Sequence, residues 1–158
     1  MAINSLNSKQ KWVELASANP TSGTTVTFSS LPQYKTYKIA YFNLDLSTGD
    51  IIQLTINNDT GNNYAYARQI DSGDTSSAGV STSILLGTVA TDGTGIITID
   101  DANDLIKDIS WFHAVTFPSL DSVISKGFWN SQNVINRFDI STSTATFSSG
   151  TIKVYGRN

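Results

Sequence analysis

The sequence predicts an all-β protein of about ten to eleven short strands, in a β-sandwich or barrel. Three observations carry that prediction. Short alternating apolar runs recur at regular spacing, each bounded by Gly, Pro, Asn, Asp or Ser. No segment of useful length has the 3.6-residue period of a helix, which argues against βαβ units. Of the 158 residues only 15% are charged, while about a quarter are Ser or Thr; Thr suits strands and Ser suits turns, so hydroxyls rather than charges solvate the surface.

In order, residues 1–10 are polar and form a predicted flexible arm, with Ala2, Ile3, Asn4 and Leu6 as candidate attachment residues that order on a partner. Residues 11–158 form one domain, long enough to bury a core. Lys11 to Ala16 alternates and is a first strand anchored by Trp12. Thr24 to Phe28 places Val26 and Phe28 on one face. Tyr37 to Leu44 is apolar on both faces, as expected of a central strand covered on both sides. Ile52, Leu54 and Ile56 alternate with Gln53, Thr55 and Asn57, and Tyr64 to Ile70 alternates again. Between them Asn58 to Asn63 consists of residues that tolerate positive φ or bond to their own backbone, so the two arms are expected to form a hairpin.

Asp71 to Ser81 has almost nothing to bury and is expected to be an exposed loop. Thr82 to Thr88 is a strand, Thr91 to Gly95 a turn, and Ile96 to Asp100 a strand. Asp101 to Lys107 has the composition of a single helical turn capped by Asp100 or Asp101. Ile109 to Phe117 is a long strand, apolar on both faces. Ser119 to Lys126 is a polar crossing and Gly127 to Asn130 a short aromatic piece. Val134, Phe138 and Ile140 share the face of another strand, and Thr151 to Tyr155 is the last.

The chemistry of the chain is sparse. Net charge is −3 and the ten Lys and Arg residues are scattered, so no basic field attracts nucleic acid or an anionic membrane. Cysteine is absent, which removes disulfides, thiolate metal sites and a Cys nucleophile. No run has the length of a membrane helix, and Met1 to Gln10 has no apolar h-region, so neither membrane insertion nor a secretory signal is expected. His113, the single histidine, lies between apolar neighbours as a packing residue does. Asp100, Asp101, Asp104 and Asp108 are paired closely enough in sequence to invite glycosidic acid–base chemistry, but they flank a turn, where capped and solvated carboxylates are the commoner arrangement.

Asn57, Asn58, Asp59, Asn62 and Asn63 offer oxygens, yet one acid is too few for a calcium loop. No cofactor or metal is expected. Tyr64, Tyr66 and Trp129 have the amphipathic rings that stack on sugars, although aromatics on strands are usually buried. The candidate glycan contacts are therefore Asn58, Asp59, Asn62, Tyr64, Tyr66 and Trp129.

Three stretches carry a resemblance when taken together. They are Leu54-Thr-Ile-Asn-Asn-Asp-Thr-Gly-Asn-Asn-Tyr-Ala-Tyr66, Gly127-Phe-Trp-Asn-Ser-Gln-Asn-Val-Ile-Asn-Arg-Phe-Asp-Ile140 and Phe147-Ser-Ser-Gly-Thr-Ile-Lys-Val-Tyr-Gly156. In this order they resemble a β-sandwich module of tailed-bacteriophage virion proteins, found in tail fibres, receptor-binding proteins and capsid fibres or decorations. Ser29 to Tyr37 also matches that module. Asn58 stands where the module commonly has Gly, Thr151 where it often has Ser, and Val154 where it often has Leu.

The resemblance brings no catalytic residues. It implies an antiparallel, jelly-roll-like β-sandwich and a non-enzymatic virion structural protein, synthesised in the host cytoplasm, packed on capsid or tail proteins and associated with copies of itself, with a trimer as one form. Because little beyond the module is present, a capsid decoration, head fibre or short tail protein is expected, with adhesion to a host-surface glycan as a further role. The alternative is a free carbohydrate-binding module or lectin.

Overall fold

The computed structural model describes residues 11–70, 75–89, 91–115 and 121–158. The expected arm, with Ala2, Ile3, Asn4 and Leu6, lies outside them. The described residues form strands β1 (Val13–Ala18), β2 (Thr25–Phe28), β3 (Thr36–Leu46), β4 (Asp50–Ile56), β5 (Tyr64–Ile70) and β6 (Thr75–Ser81). These are followed by β7 (Ile84–Val89), β8 (Gly93–Asp100), β9 (Ile106–Val115), β10 (Asp121–Asn130), β11 (Phe138–Ser141) and β12 (Phe147–Arg157).

An eight-stranded sheet in the order β1-β12-β3-β8-β9-β10-β5-β6 faces a four-stranded sheet, β2-β11-β4-β7. The pairing is antiparallel throughout. The predicted class, an all-β sandwich, is the observed one.

Alternation along the strands builds the core. Tyr37, Ile39 and Tyr41 of β3, Ile97 and Ile99 of β8, and Ile152 and Val154 of β12 point inward and are buried. They meet Ile52, Leu54 and Ile56 of β4, Ile84 and Leu86 of β7, and Phe138 and Ile140 of β11. Polar contacts tie the two sheets as well. Trp111 Nε1–H donates to the Leu86 carbonyl at 3.2 Å, and His113 Nε2 meets the Thr88 carbonyl at 3.1 Å. A carbonyl only accepts, so Nε2 carries the proton and Nδ1 is left to accept from the Tyr41 hydroxyl at 2.8 Å. His113 is thus the packing histidine that the sequence predicts, and burial drives the Tyr41 phenol pKa far upward.

Several expectations are corrected. The stretches at 51–56 and 64–70 are not a hairpin: β4 pairs with β11 and β7 in the small sheet, while β5 pairs with β10 and β6 in the large one. Period-two alternation identifies a half-buried strand but not its partner, and residues 57–63 form an arch that crosses from one sheet to the other. Part of the expected loop at 71–81 is strand β6, whose backbone pairs with β5 over Tyr64↔Ser81 to Ile70↔Thr75; residues 71–74 of that loop lie outside the described residues. An edge strand of small residues pairs through its backbone and leaves no apolar signature.

The turn expected at 91–95 is shorter, because β8 begins at Gly93. The segment after Asp100 is a turn and not a helical one, with Asp101 at φ 53 and its carbonyl accepting from Asp104 N at 2.8 Å. Residues 121–130 are one continuous strand rather than a crossing and a separate aromatic piece. Val134 is exposed and precedes β11, which starts at Phe138.

Asp50 fastens the start of β4 to the loop before β12. Its Oδ2 accepts from Ala145 N at 2.9 Å and Thr144 N at 2.7 Å, and its Oδ1 from Ile51 N at 2.7 Å. Those backbone donors, Ala145 and Thr144 foremost, favour the charged form and lower its pKa to about 2. A folded pKa below the unfolded one means that this contribution is complete above about pH 4 and fades as pH falls towards 2. Acid titration of Asp50→Asn is expected to show a shallower loss of stability across that window than the wild-type chain. Identical slopes would show that Asp50 does not couple to folding.

Candidate functional site

The predicted site residues converge on the arch at 57–63. Asn57 and Asn58 both adopt φ 56, a left-handed conformation that Asn tolerates better than most residues. Asn57 then turns inward, donating Nδ2–H to the Val134 carbonyl at 2.7 Å and accepting at Oδ1 from Asn136 N at 2.9 Å and Arg137 N at 3.1 Å.

Asp59 is the centre of the arch. Its Oδ2 accepts from Trp129 Nε1–H at 2.7 Å and from Asn63 Nδ2–H at 3.0 Å, and its Oδ1 accepts from Gly61 N at 2.9 Å. Burial pushes the carboxyl pKa up, but the Trp129, Gly61 and Asn63 donors outweigh it and hold the pKa below its ordinary value.

Beneath the arch lie Tyr64 and Trp129, both fully buried. Their rings stack with centroids 6.3 Å apart and an interplanar angle of 17°. The Tyr64 hydroxyl accepts from Ile56 N at 2.8 Å and donates to the Ile56 carbonyl at 3.3 Å, which closes the arch on itself. Lys107, also buried, sets its Nζ 5.0 Å from the Trp129 ring centroid and donates to the Ser131 carbonyl. Burial lowers the Lys107 pKa, and the charge of Asp104 works against that shift.

Tyr64 and Trp129 therefore present no ring face to a sugar, because the cross-strand register Trp129↔Tyr64 places both side chains on the inner face. Tyr66 is half-buried, with the Arg68 guanidinium 5.9 Å from its ring centroid. Asn58 and Asn62 are the candidate contacts whose side chains are open to solvent. Asp59 has its lone pairs directed at protein donors. Among the described residues no group of three or more His, Asp or Glu side chains is placed to hold a metal ion, and no helix is long and apolar enough to cross a membrane.

A second surface is not among the predicted sites. On the outer face of the large sheet a depression of about 510 Å³ is lined by Ala65, Ala67, Asp108, Ser110, Lys126 and Phe128, among others. Asp100 and Asp108 stand opposite each other across β8 and β9, and Phe128 stands opposite Asp108 across β9 and β10. Chemically this is a shallow trough with carboxylates and an ammonium on an apolar floor. The signal for it is in the sequence: Ile106, Asp108, Ser110, Phe112 and Ala114 alternate with the buried series on β9, so the outward series is itself partly apolar.

Asp101 and Asp104, by contrast, lie on the exposed turn between β8 and β9. Compared with protein-family models, curated proteins and solved structures, the chain gives no match in any of the three.

Proposed function

We propose that the chain is a non-enzymatic structural component of a bacteriophage virion, a capsid decoration, head fibre or short tail protein. On this reading it is synthesised in the host cytoplasm and assembled onto other virion proteins, and it self-associates. Adhesion to a host-surface glycan is a second task of the same surface.

One observation carries the proposal. Two of the three stretches on which the resemblance rests fit together as a single structural unit. Trp129 of the second holds Asp59 of the first, and the backbone of Asn136 and Arg137 is held by Asn57. The third stretch is β12, which lies between β1 and β3 in the large sheet. The stretches thus behave as an architectural signature, with conformational roles for residues that would otherwise be read as ligands. The β-sandwich supports the same reading, because it is a self-contained unit that other proteins can carry on their surface.

Mass spectrometry of purified particles from the phage encoding this chain is expected to detect it at stoichiometric level. Purified protein should rebind particles made without it. Absence from the virion together with failure to rebind would overturn the assignment.

The alternative, a free carbohydrate-binding module, loses two of its stacking residues to the core and retains Asn58, Asn62 and Tyr66. Glycan-array binding by the isolated chain, abolished by substitution of Asn62 and Tyr66 and combined with absence from particles, would favour it.

A further inference from the structure

The outer face of the large sheet is apolar where a solvated sheet face is normally polar. Alternation along β8, β9 and β10 sends Ile96, Phe112 and Ile124 outward in one cross-strand row, joined by the pairings Ile96↔Phe112 and Phe112↔Ile124. They are 42%, 45% and 67% exposed, and Phe128, two residues further along β10, is 41% exposed. Val80 on β6 and Ile106 on β9 extend the patch. The inner series of the same strands already fills the core, so nothing in the described fold covers this outer series.

The charges on this face identify what does. Among the described residues of β8, β9, β10 and β5, the charged side chains that alternation directs outward are Asp100, Asp108 and Lys126. The ion pairs among the described residues are Arg137–Asp139 and Lys153–Glu14, so these three groups have no ionic partner among the described residues. Lys126 pairs with Ser110, one step along β9 from Asp108 on the outward face. The acid and the base are therefore diagonal neighbours, and the face carries both members of a complementary set. A face of this kind is complementary to itself.

We propose that the outer face of β8, β9, β10 and β5 is a homodimer interface, with a second copy of this chain as its occupant. A twofold axis lying in the interface plane, between Lys126 and Asp108, sets the ammonium of each copy over the carboxylates of the other. It also closes the Ile96–Phe112–Ile124 row against the partner's apolar floor. This is the self-complementary arrangement of an isologous pair.

The area is sufficient. Four strands, each about 4.8 Å wide, and the span from Ile106 to Ala114 at about 3.4 Å per residue give a projected footprint of about 500 Å². Side-chain relief raises that toward the ~800 Å² per partner of a stable interface. The inference does not depend on the virion assignment and applies equally to a free lectin.

Sedimentation equilibrium of the full chain at micromolar concentration tests it. The expected mass is twice the 17.0 kDa of the chain. Phe112→Asp is expected to give a folded monomer whose thermal midpoint is lower only by the lost association, and Ile124→Thr is a milder second variant at an exposed position. Lys126→Asp and Asp108→Lys should each weaken the dimer at least about tenfold, and the double charge reversal should restore it.

A mass of one chain or of three for the wild type, a dimer indifferent to both apolar substitutions, or a double reversal that stays monomeric would each overturn the proposal. Because none of these measurements uses phage particles, failure here is distinguishable from failure of the virion assignment.

Discussion

Trp129→Ala is expected to destabilise the fold by about 3–5 kcal/mol, the range for emptying a large buried aromatic site. The side chain is fully buried, stacked on Tyr64 and overlain by Lys107 Nζ. Its removal leaves Lys107 without the ring beneath it and Asp59 without its shortest donor. Trp129→Phe separates the two contributions, since it keeps most of the bulk and deletes only the N–H. Losing a hydrogen bond to a charged acceptor costs about 1.5–3 kcal/mol, so Phe should fall clearly between the wild type and Ala.

Denaturant melts of the three proteins, compared at constant slope, read this directly. An exposed sugar platform would behave otherwise: surface substitutions usually stay within about 0.5 kcal/mol. A Trp129→Ala variant with wild-type stability would therefore overturn the structural role assigned to the arch.

That expectation also marks how far the chain could be read without coordinates. The class was legible because alternation and turn residues recur along the whole chain, and every predicted strand corresponds to an observed one. What alternation does not encode is partnership. Ile52, Leu54 and Ile56 alternate in the same way whether β4 pairs with β5 or, as observed, with β11 and β7. The Asn- and Asp-rich linker fits an inter-sheet arch as well as a hairpin tip, because both need positive φ and local side-chain hydrogen bonds.

β6 was invisible for a different reason. Ser, Ala and Gly bury little, and its place at the edge of the large sheet comes from backbone pairing with β5 alone. β10 looked broken because Ser125 sits at an inward position, where its hydroxyl is buried without a hydrogen-bond partner among the described residues.

The candidate site was legible by residue type and illegible by role. Asp59, Tyr64 and Trp129 do come together, across separations that no sequence window spans, but they face one another and not a ligand. The acids at 100–108 divide in the opposite way. Asp101 and Asp104 stay on a turn as expected, while Asp100 and Asp108 join Lys126 and Phe128 on a face that appears only once β8, β9 and β10 are known to be neighbours.

The second large effect lies between the two sheets, where Gly87 of β7 faces His113 of β9. A Cβ on Gly87 would stand 2.1 Å from His113 Cδ2, far inside any real contact. The imidazole cannot retreat freely, because the Tyr41 hydroxyl holds Nδ1 and the Thr88 carbonyl holds Nε2. Gly87→Ala must therefore move β7 away from β9 or break those hydrogen bonds, and overpacking of this kind costs about 1–3 kcal/mol. We expect the upper end of that range.

His113→Ala leaves the Tyr41 hydroxyl and the Thr88 carbonyl without the ring and opens a void, at about 1–3 kcal/mol for each buried polar group left unsatisfied. The two substitutions should not add. With the ring gone, the methyl at position 87 meets a cavity rather than an atom, so the double variant should be about as stable as His113→Ala alone. That corresponds to a coupling equal to the whole cost of Gly87→Ala, about 3 kcal/mol, at the top of the range for residues in direct contact. Strict additivity in denaturant melts of the four proteins would show that β7 and β9 are not held at this distance by His113, and the polar link between the sheets would lose its support.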